Sequence, residues 1–144
     1  MKNRSLFCGL MLCCLGTWVQ AQTVLEWADL QAGISWESNA DIPMFRQAVF
    51  APELLALEGK EVIVTGYFLV LDGTQSVYLL SKNPMASCFF CGNGGPETIM
   101  ELEFNEKPPF VMDDLLSVSG LLRLNADNPN QCYYRIEKAI ALSL

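Results

Sequence analysis

The chain has 144 residues, with 16 acidic residues, 9 basic residues and no histidine. Its net charge of −7 repels phosphate backbones, so nucleic acid is not expected as a partner. The absence of histidine removes the usual general base of nucleophilic enzymes and the commonest zinc ligand, and therefore favours a non-enzymatic role.

The first 21 residues have the pattern of a secretory signal peptide. Lys2 and Arg4 precede an apolar run at residues 6–15, and Ala21 offers a small residue at a cleavage site. Cleavage after Ala21 would leave 123 residues with a net charge of −9, the size of one domain. We therefore expect a periplasmic or secreted protein.

Lipoprotein anchoring is the alternative interpretation of this leader. It would require a small residue directly before the lipidated cysteine. Cys13 is instead preceded by Leu12, and Cys14 is preceded by Cys13. The later sequence contains no apolar run long enough to span a bilayer, so no transmembrane segment is expected in the mature chain.

The mature chain is predicted to begin with an arm and to continue as a β-domain. We assign residues 22–58 to the arm and residues 59–144 to the domain. Trp27 and Trp36 are expected to pack the arm onto the domain, because large aromatic side chains are typical packing anchors. A proline in the first turn and a glycine after the last predict one short helix at residues 52–58.

The domain has the residue types and alternation of β-strands. We predict five strands, at residues 61–71, 75–81, 97–104, 115–124 and 132–142. In the third strand, Met100 and Leu102 lie on the core face, while Ile99 and Glu101 lie on a face that we expect to be mostly solvated. Gly66 is placed where a strongly coiled first strand could bend.

The order of these segments predicts the fold class. Asp72 and Gly73 form a hairpin signal between the first two strands. Three strands in a meander, a connection and a final hairpin match a mainly β, five-stranded, OB-like, partly open barrel. A five-stranded sandwich with other strand pairing is the competing architecture.

The loop between the second and third strands contains the residues with the clearest potential for metal binding or redox chemistry. Residues 88–96 read Cys-Phe-Phe-Cys-Gly-Asn-Gly-Gly-Pro, with Cys88 and Cys91 three positions apart. A third thiol, Cys132, begins the fifth predicted strand. In an OB-like order the third and fifth strands are parallel, so the loops that precede them share one end of the barrel. We therefore expect Cys132 to lie near the other two thiols.

Three converging thiolates could hold one soft metal ion, Zn²⁺ or Cu(I). The fourth position would be open or filled by water or by a carboxylate, with Glu97 and Asp127 as the candidates. Two other interpretations stay open. Cys88 and Cys91 could form a disulfide, as is usual for close pairs in exported proteins, and Cys132 could be a buried apolar residue on the face of Tyr134.

Several motifs together resemble a known family. They are Trp27, the segment at residues 57–62, the pair Gly66 and Tyr67, Leu71, and the cysteine loop. This combination is similar to small bacterial exported and lipoprotein domains of unknown function, which carry a Gly-Tyr-x-x-Pro-Leu strand followed by a Cys-x-His-x-Pro-Pro-Pro loop. The resemblance implies an exported OB-like domain and brings no activity with it.

The resemblance extends over residues 27–142, with three departures from the family pattern. Val70 replaces its proline, Phe90 replaces its histidine, and residues 94–96 replace its proline run. The missing histidine removes a potential metal ligand from the loop.

Two functional hypotheses of different class follow. The first is a non-enzymatic binding module whose ligand or partner, another exported or membrane-associated protein, is engaged through residues 88–96, with a metal ion as an option. The second is a thiol–disulfide protein that cycles Cys88 and Cys91. Phe89 and Phe90 would either form an apolar tip that docks the partner or fold inward as a plug of the barrel.

Overall fold

The computed structural model describes residues 22–38, 46–72 and 77–144. The predicted signal peptide and most of the predicted hairpin turn after Asp72 lie outside these ranges. In chain order the elements are β1 (Thr23–Val24), α1 (Trp27–Ala32), β2 (Ile34–Ser38), β3 (Arg46–Phe50), α2 (Pro52–Leu55), β4 (Glu61–Asp72), β5 (Val77–Ser81), β6 (Ile99–Leu102), β7 (Leu115–Leu124) and β8 (Tyr134–Ser143). None of the helices in these ranges is long and apolar enough to cross a membrane.

Five strands close into a barrel in the order β4, β5, β6, β8, β7 and back to β4. The neighbours are antiparallel except β6 and β8, which are parallel. This confirms the predicted mainly β, five-stranded OB-like class, although the barrel is closed rather than partly open. The predicted bounds of the fourth strand match β7, whereas the fifth strand begins at Tyr134, two residues later than predicted.

The long strand β4 makes closure possible because it changes partners along its length. It pairs with β7 from Glu61 to Tyr67 and with β5 from Tyr67 to Asp72. Gly66 lies at this transition, where a Cβ atom would come within 2.7 Å of the Ser81 carbonyl oxygen and 3.2 Å of the Trp27 ring. The missing side chain therefore lets β4 bend between its two partners beneath that ring.

Alternate residues of the barrel strands point inward and form the main core. Phe68, Leu80, Met100 and Tyr134 are among its fully buried side chains. The Phe68 ring stacks on Tyr78 at a centroid distance of 5.7 Å. The alternation predicted for the third and fourth strands is therefore present on their inner faces.

The arm packs onto this core through α1. The Trp27 indole N–H donates to the Thr65 carbonyl at 2.7 Å, and the Tyr134 hydroxyl donates to the Leu30 carbonyl at 2.8 Å. The sequence did not predict α1, whose six residues are too few to show a helical period. The packing role expected for Trp27 is present.

The antiparallel hairpin β2–β3 extends the arm along the side of the barrel. The Trp36 ring meets the Tyr133 ring edge-on at 4.6 Å, and the Tyr133 hydroxyl donates to the Arg46 carbonyl at 2.6 Å. The following helix, α2, is shorter than predicted, and Gly59 has the expected left-handed conformation, with φ of 71°. The arm thus contributes side chains to the surface of the barrel.

Candidate functional site

The loop between β5 and β6 folds back over the outside of the barrel. It contains three short 3-10 turns, at Met85–Ser87, Phe89–Cys91 and Pro96–Thr98. Cys88 is fully buried against the outward-facing side chains of Leu69 and Leu79. These three residues form a second apolar cluster, which we call the outer cluster; Val77, Met85 and Cys132 pack against it.

Contacts around Met85 fix the position of the thiols. The Cys91 thiol donates to the Met85 carbonyl at 3.1 Å, and the Cys88 thiol lies 3.8 Å from the Met85 sulfur. The Met85 amide donates to the Asp113 carboxylate at 2.7 Å, which ties the loop to the segment before β7. Cys88, Cys91 and Cys132 are all free of disulfides.

In the structure, Cys132 packs against the outer cluster that contains Cys88. Cys132 is half-buried against this cluster, whereas Tyr134 lies in the inner core, so the expected shared face with Tyr134 was wrong. Throughout the part of the chain that the structure describes, His, Cys, Asp and Glu side chains form no group of three that could hold a metal ion. The three-thiol ion site therefore stays a prediction.

The surroundings of two thiols keep them protonated. Burial, and secondarily the Glu101 carboxylate, raises the pKa of Cys132 to about 12. Desolvation and the neighbouring Cys88 thiol raise the pKa of Cys91 above its ordinary value. Because the thiolate is the nucleophile, both cysteines are less reactive at neutral pH than a free cysteine.

A groove of about 800 Å³ lies beside the outer cluster, and we call it the barrel-side groove. Its floor is the outer face of β5 and β6, with Leu79, Ile99 and Glu101. The cysteine loop forms one wall with Phe90 and Glu97. Three segments that are distant in sequence meet around this floor: the cysteine loop, the hairpin β2–β3 and the turn before β8.

A second wall is formed by residues 129–133, together with Trp36 and Arg46 of the hairpin. The Asn125 side-chain amide orders this wall by donating to three carbonyls, those of Asn128, Gln131 and Cys132, at 2.8 to 3.3 Å. The wall is therefore held in place before any ligand binds, which lowers the entropy cost of binding.

The cysteine-loop wall is ordered in a similar way. The Thr98 hydroxyl donates to the Gly95 carbonyl at 2.7 Å, and the Thr98 side chain is buried. Gly94 has φ of 107°, a conformation that favours glycine, and a Cβ atom there would lie 3.0 Å from the Thr98 side chain. This turn fixes the approach of Glu97 to the groove.

The charged side chains that line the groove are Glu97, Glu101 and Arg46. Both carboxylates are half-buried, whereas Arg46 is exposed. Burial is the larger cause of the raised pKa of Tyr134, and the negative charge of Glu97 adds to it. Burial likewise raises the pKa of Tyr133, and Arg46 acts in the opposite direction. The two carboxylates therefore bring negative charge to the β6 side of the groove, and Arg46 brings positive charge at the hairpin.

The residues predicted for the site are distributed unevenly around this groove. Cys132 and Phe90 line it, Cys88 lies in the outer cluster, and Cys91 is exposed. The Phe90 side chain is 45% exposed and is a wall residue rather than a barrel plug. The side chain of Phe89 lies outside the described part of the structure.

Of the two candidate oxygen ligands, Glu97 lines the groove, whereas Asp127 is exposed in the turn before β8. Sequence reasoning missed Arg46 and Tyr133, and it assigned Glu101 to a solvated face. The signal that could have found the groove is Ile99, which is buried although it points outward from the barrel. An apolar residue on a face expected to be solvated indicates that something covers that face.

The chain is similar in structure to a DUF3299 family protein from Pseudomonas aeruginosa PAO1. The TM-score is 0.56, the sequence identity is 17%, and the match covers 87% of this chain and 99% of that one. No protein-family model and no curated protein matches the chain. The similarity establishes the barrel fold, in agreement with the predicted likeness to a barrel family of unknown function, and assigns no activity.

Proposed function

We propose that the protein is an exported, non-enzymatic binding module that engages a protein partner in the barrel-side groove. The observation that carries this proposal is the convergence of the cysteine loop, the hairpin and the turn before β8 on one concave surface. Its volume of about 800 Å³ falls within the range of ligand sites, roughly 300–1,000 Å³.

The side chains of the groove suit recognition better than catalysis. Phe90 and Leu71 are 45% and 44% exposed and offer apolar surface, and the half-buried ring of Trp36 adds an aromatic wall. Aromatic side chains of this kind are enriched at protein interfaces. The thiol that lines the groove, Cys132, has a pKa of about 12 and is therefore a poor nucleophile at neutral pH.

The thiol–disulfide alternative rests on the adjacency of Cys88 and Cys91, whose loop turns tightly through a hydrogen bond from the Cys91 amide to the Cys88 carbonyl at 3.0 Å. The raised pKa of Cys91 disfavours the redox role, because redox pairs normally contain a thiol with a lowered pKa.

Native intact-mass spectrometry with thiol counting distinguishes a metal site from a disulfide. One bound zinc or copper ion with three protected thiols supports the metal prediction, and a mass lower by two hydrogen atoms with one free thiol supports a disulfide.

The binding role can be tested by photo-crosslinking in cells that naturally make the protein. A benzoylphenylalanine in place of Phe90 should crosslink to one partner, whereas the same probe at Ile140, which is 68% exposed and outside the groove, should not. The substitution Leu71→Glu, in the groove, should abolish the crosslink. The matched substitution Leu142→Glu, on an exposed strand position elsewhere, should leave it unchanged. Equal crosslinking from both probe positions would contradict the proposal.

A further inference from the structure

The barrel-side groove contains two carboxylates whose charge is not matched by cations at contact distance. Within the described residues, every ion pair involves Arg123 or Arg135, and none includes Glu97 or Glu101. Arg135 lies beside Glu101 in the neighbouring strand, but its guanidinium bonds Glu137 at 2.6 Å. Half-buried carboxylates in a concave site with apolar walls concentrate a negative potential there.

The barrel-side groove adjoins a second groove, so that together they extend along β6. The second groove, of about 440 Å³, shares Val77 and Glu101 with the first and continues past the end of β6. Glu103 and Glu106 line this continuation, together with one cation, Lys107. The acidic side chains therefore follow one track along β6 and beyond it, and such a track fits an extended chain better than a compact ligand.

Apolar side chains lie among the acidic side chains of the groove. Ile99 lies between Glu97 and Glu101 in the sequence, and Phe90 of the cysteine loop and Trp36 of the hairpin both line the groove. An extended peptide presents successive side chains to opposite sides, so it can place cationic groups over the carboxylates and apolar groups against the walls.

We propose that the groove binds a basic, partly apolar segment of a partner protein in an extended conformation, with lysine or arginine side chains at Glu97 and Glu101. The inference rests on the proposed function and names the chemistry of the partner. Anionic lipid headgroups and nucleic acids are disfavoured by the same charges that favour a basic segment. Arg46, in strand β3 of the hairpin, is the cation that lines the groove, so we expect a peptide carboxylate or acidic side chain to lie beside it.

The test uses the mature chain, residues 22–144, and three fluorescein-labelled peptides with blocked ends: Lys-Phe-Lys-Phe-Lys, Ser-Phe-Ser-Phe-Ser and Glu-Phe-Glu-Phe-Glu. Fluorescence anisotropy should show that the basic peptide binds about tenfold tighter than the serine peptide, and that its affinity falls as salt is raised. Equal affinity for the basic and serine peptides, or tighter binding of the acidic one, would overturn the proposal.

Glutamate-to-glutamine substitutions at different positions change the net charge equally, so they show whether the position of the charge determines peptide affinity. Glu101→Gln and Glu97→Gln should each weaken the basic peptide by roughly three- to tenfold. Glu53→Gln changes the net charge by the same amount on α2, outside both grooves, and should leave the affinity unchanged. Arg46→Gln should strengthen binding of the basic peptide. If Glu53→Gln weakens binding as much as Glu101→Gln, only net charge matters and the inference fails.

The two proposals can fail separately. If a partner crosslinks through position 90 but the three peptides bind equally, the proposed binding function is supported. The inference that the partner contributes a basic segment is then rejected. Circular dichroism melts of each glutamine variant should match the parent protein, because glutamine is close to isosteric with glutamate.

Discussion

The interior of the barrel and the outer cluster are equally buried but differently covered. Leu80 points into the barrel and is 0% exposed, whereas its neighbour Leu79 points outward and is 1% exposed. Hydrogen-bonded strands enclose the first, while a loop with three short 3-10 turns covers the second. Burial therefore stabilises the barrel in one place and shapes the floor of the groove in the other.

The largest expected difference is between Leu80→Ala and Leu79→Ala. Leu80→Ala should lower the free energy of unfolding by about 3–5 kcal/mol, because the closed barrel cannot collapse into the cavity. Leu79→Ala should cost about 2 kcal/mol, since the loop above it can settle into the space. Urea unfolding of the two variants measures both values. Equal losses would mean that the cysteine loop is as rigid as the barrel.

A pair of glycine substitutions tests how tightly the cover of the outer cluster is built. Gly92 and Gly94 both have positive φ, and an added Cβ atom at Gly92 would meet no atom within 4 Å, whereas at Gly94 it would meet Thr98. Gly92→Ala should cost about 1 kcal/mol for backbone strain alone. Gly94→Ala should cost more and should weaken peptide binding, because it displaces the wall that carries Glu97. Identical effects on stability and binding would contradict this account.

The effect that is smallest at neutral pH concerns Cys132, because it appears only at high pH. Its pKa is raised from 9.0 to about 12, so the unfolded chain loses this proton before the folded protein does. The stability contributed by the neutral thiol is complete below about pH 9 and is lost as the pH rises toward 12. Between these values, stability should fall more steeply in the parent protein than in Cys132→Ala. Parallel curves in urea titrations at stepped pH would contradict the buried, protonated thiol.

The barrel could be predicted from the sequence because its inner face depends on local alternation. The residues of β7 alternate over ten positions, and the predicted bounds agree with the structure. The structure of the arm was harder to predict from the sequence. α1 has six residues and β1 has two, and elements of that length are determined by contacts with β4 and Tyr134 rather than by local pattern.

The groove was harder to predict than the fold because its walls come from distant parts of the chain. Trp36, Phe90 and Tyr133 each had a plausible local role, and only the tertiary structure places them around one floor. The cysteine loop was identified because two thiols three positions apart are visible in any sequence. What the loop covers depends on the outward faces of β4 and β5, whose apolar residues a local pattern assigns to either side.

The hydrogen bond from Tyr134 to the Leu30 carbonyl joins residues 104 positions apart and has a consequence for the order of folding. The first helix cannot complete its packing until the last strand is in place, and the barrel cannot close before β8 lies between β6 and β7. A nascent chain therefore lacks the partner of α1 until β8 has been synthesised. Because loop closure over such distances is slow, α1 should reach its native packing late, only after β8 has left the ribosome.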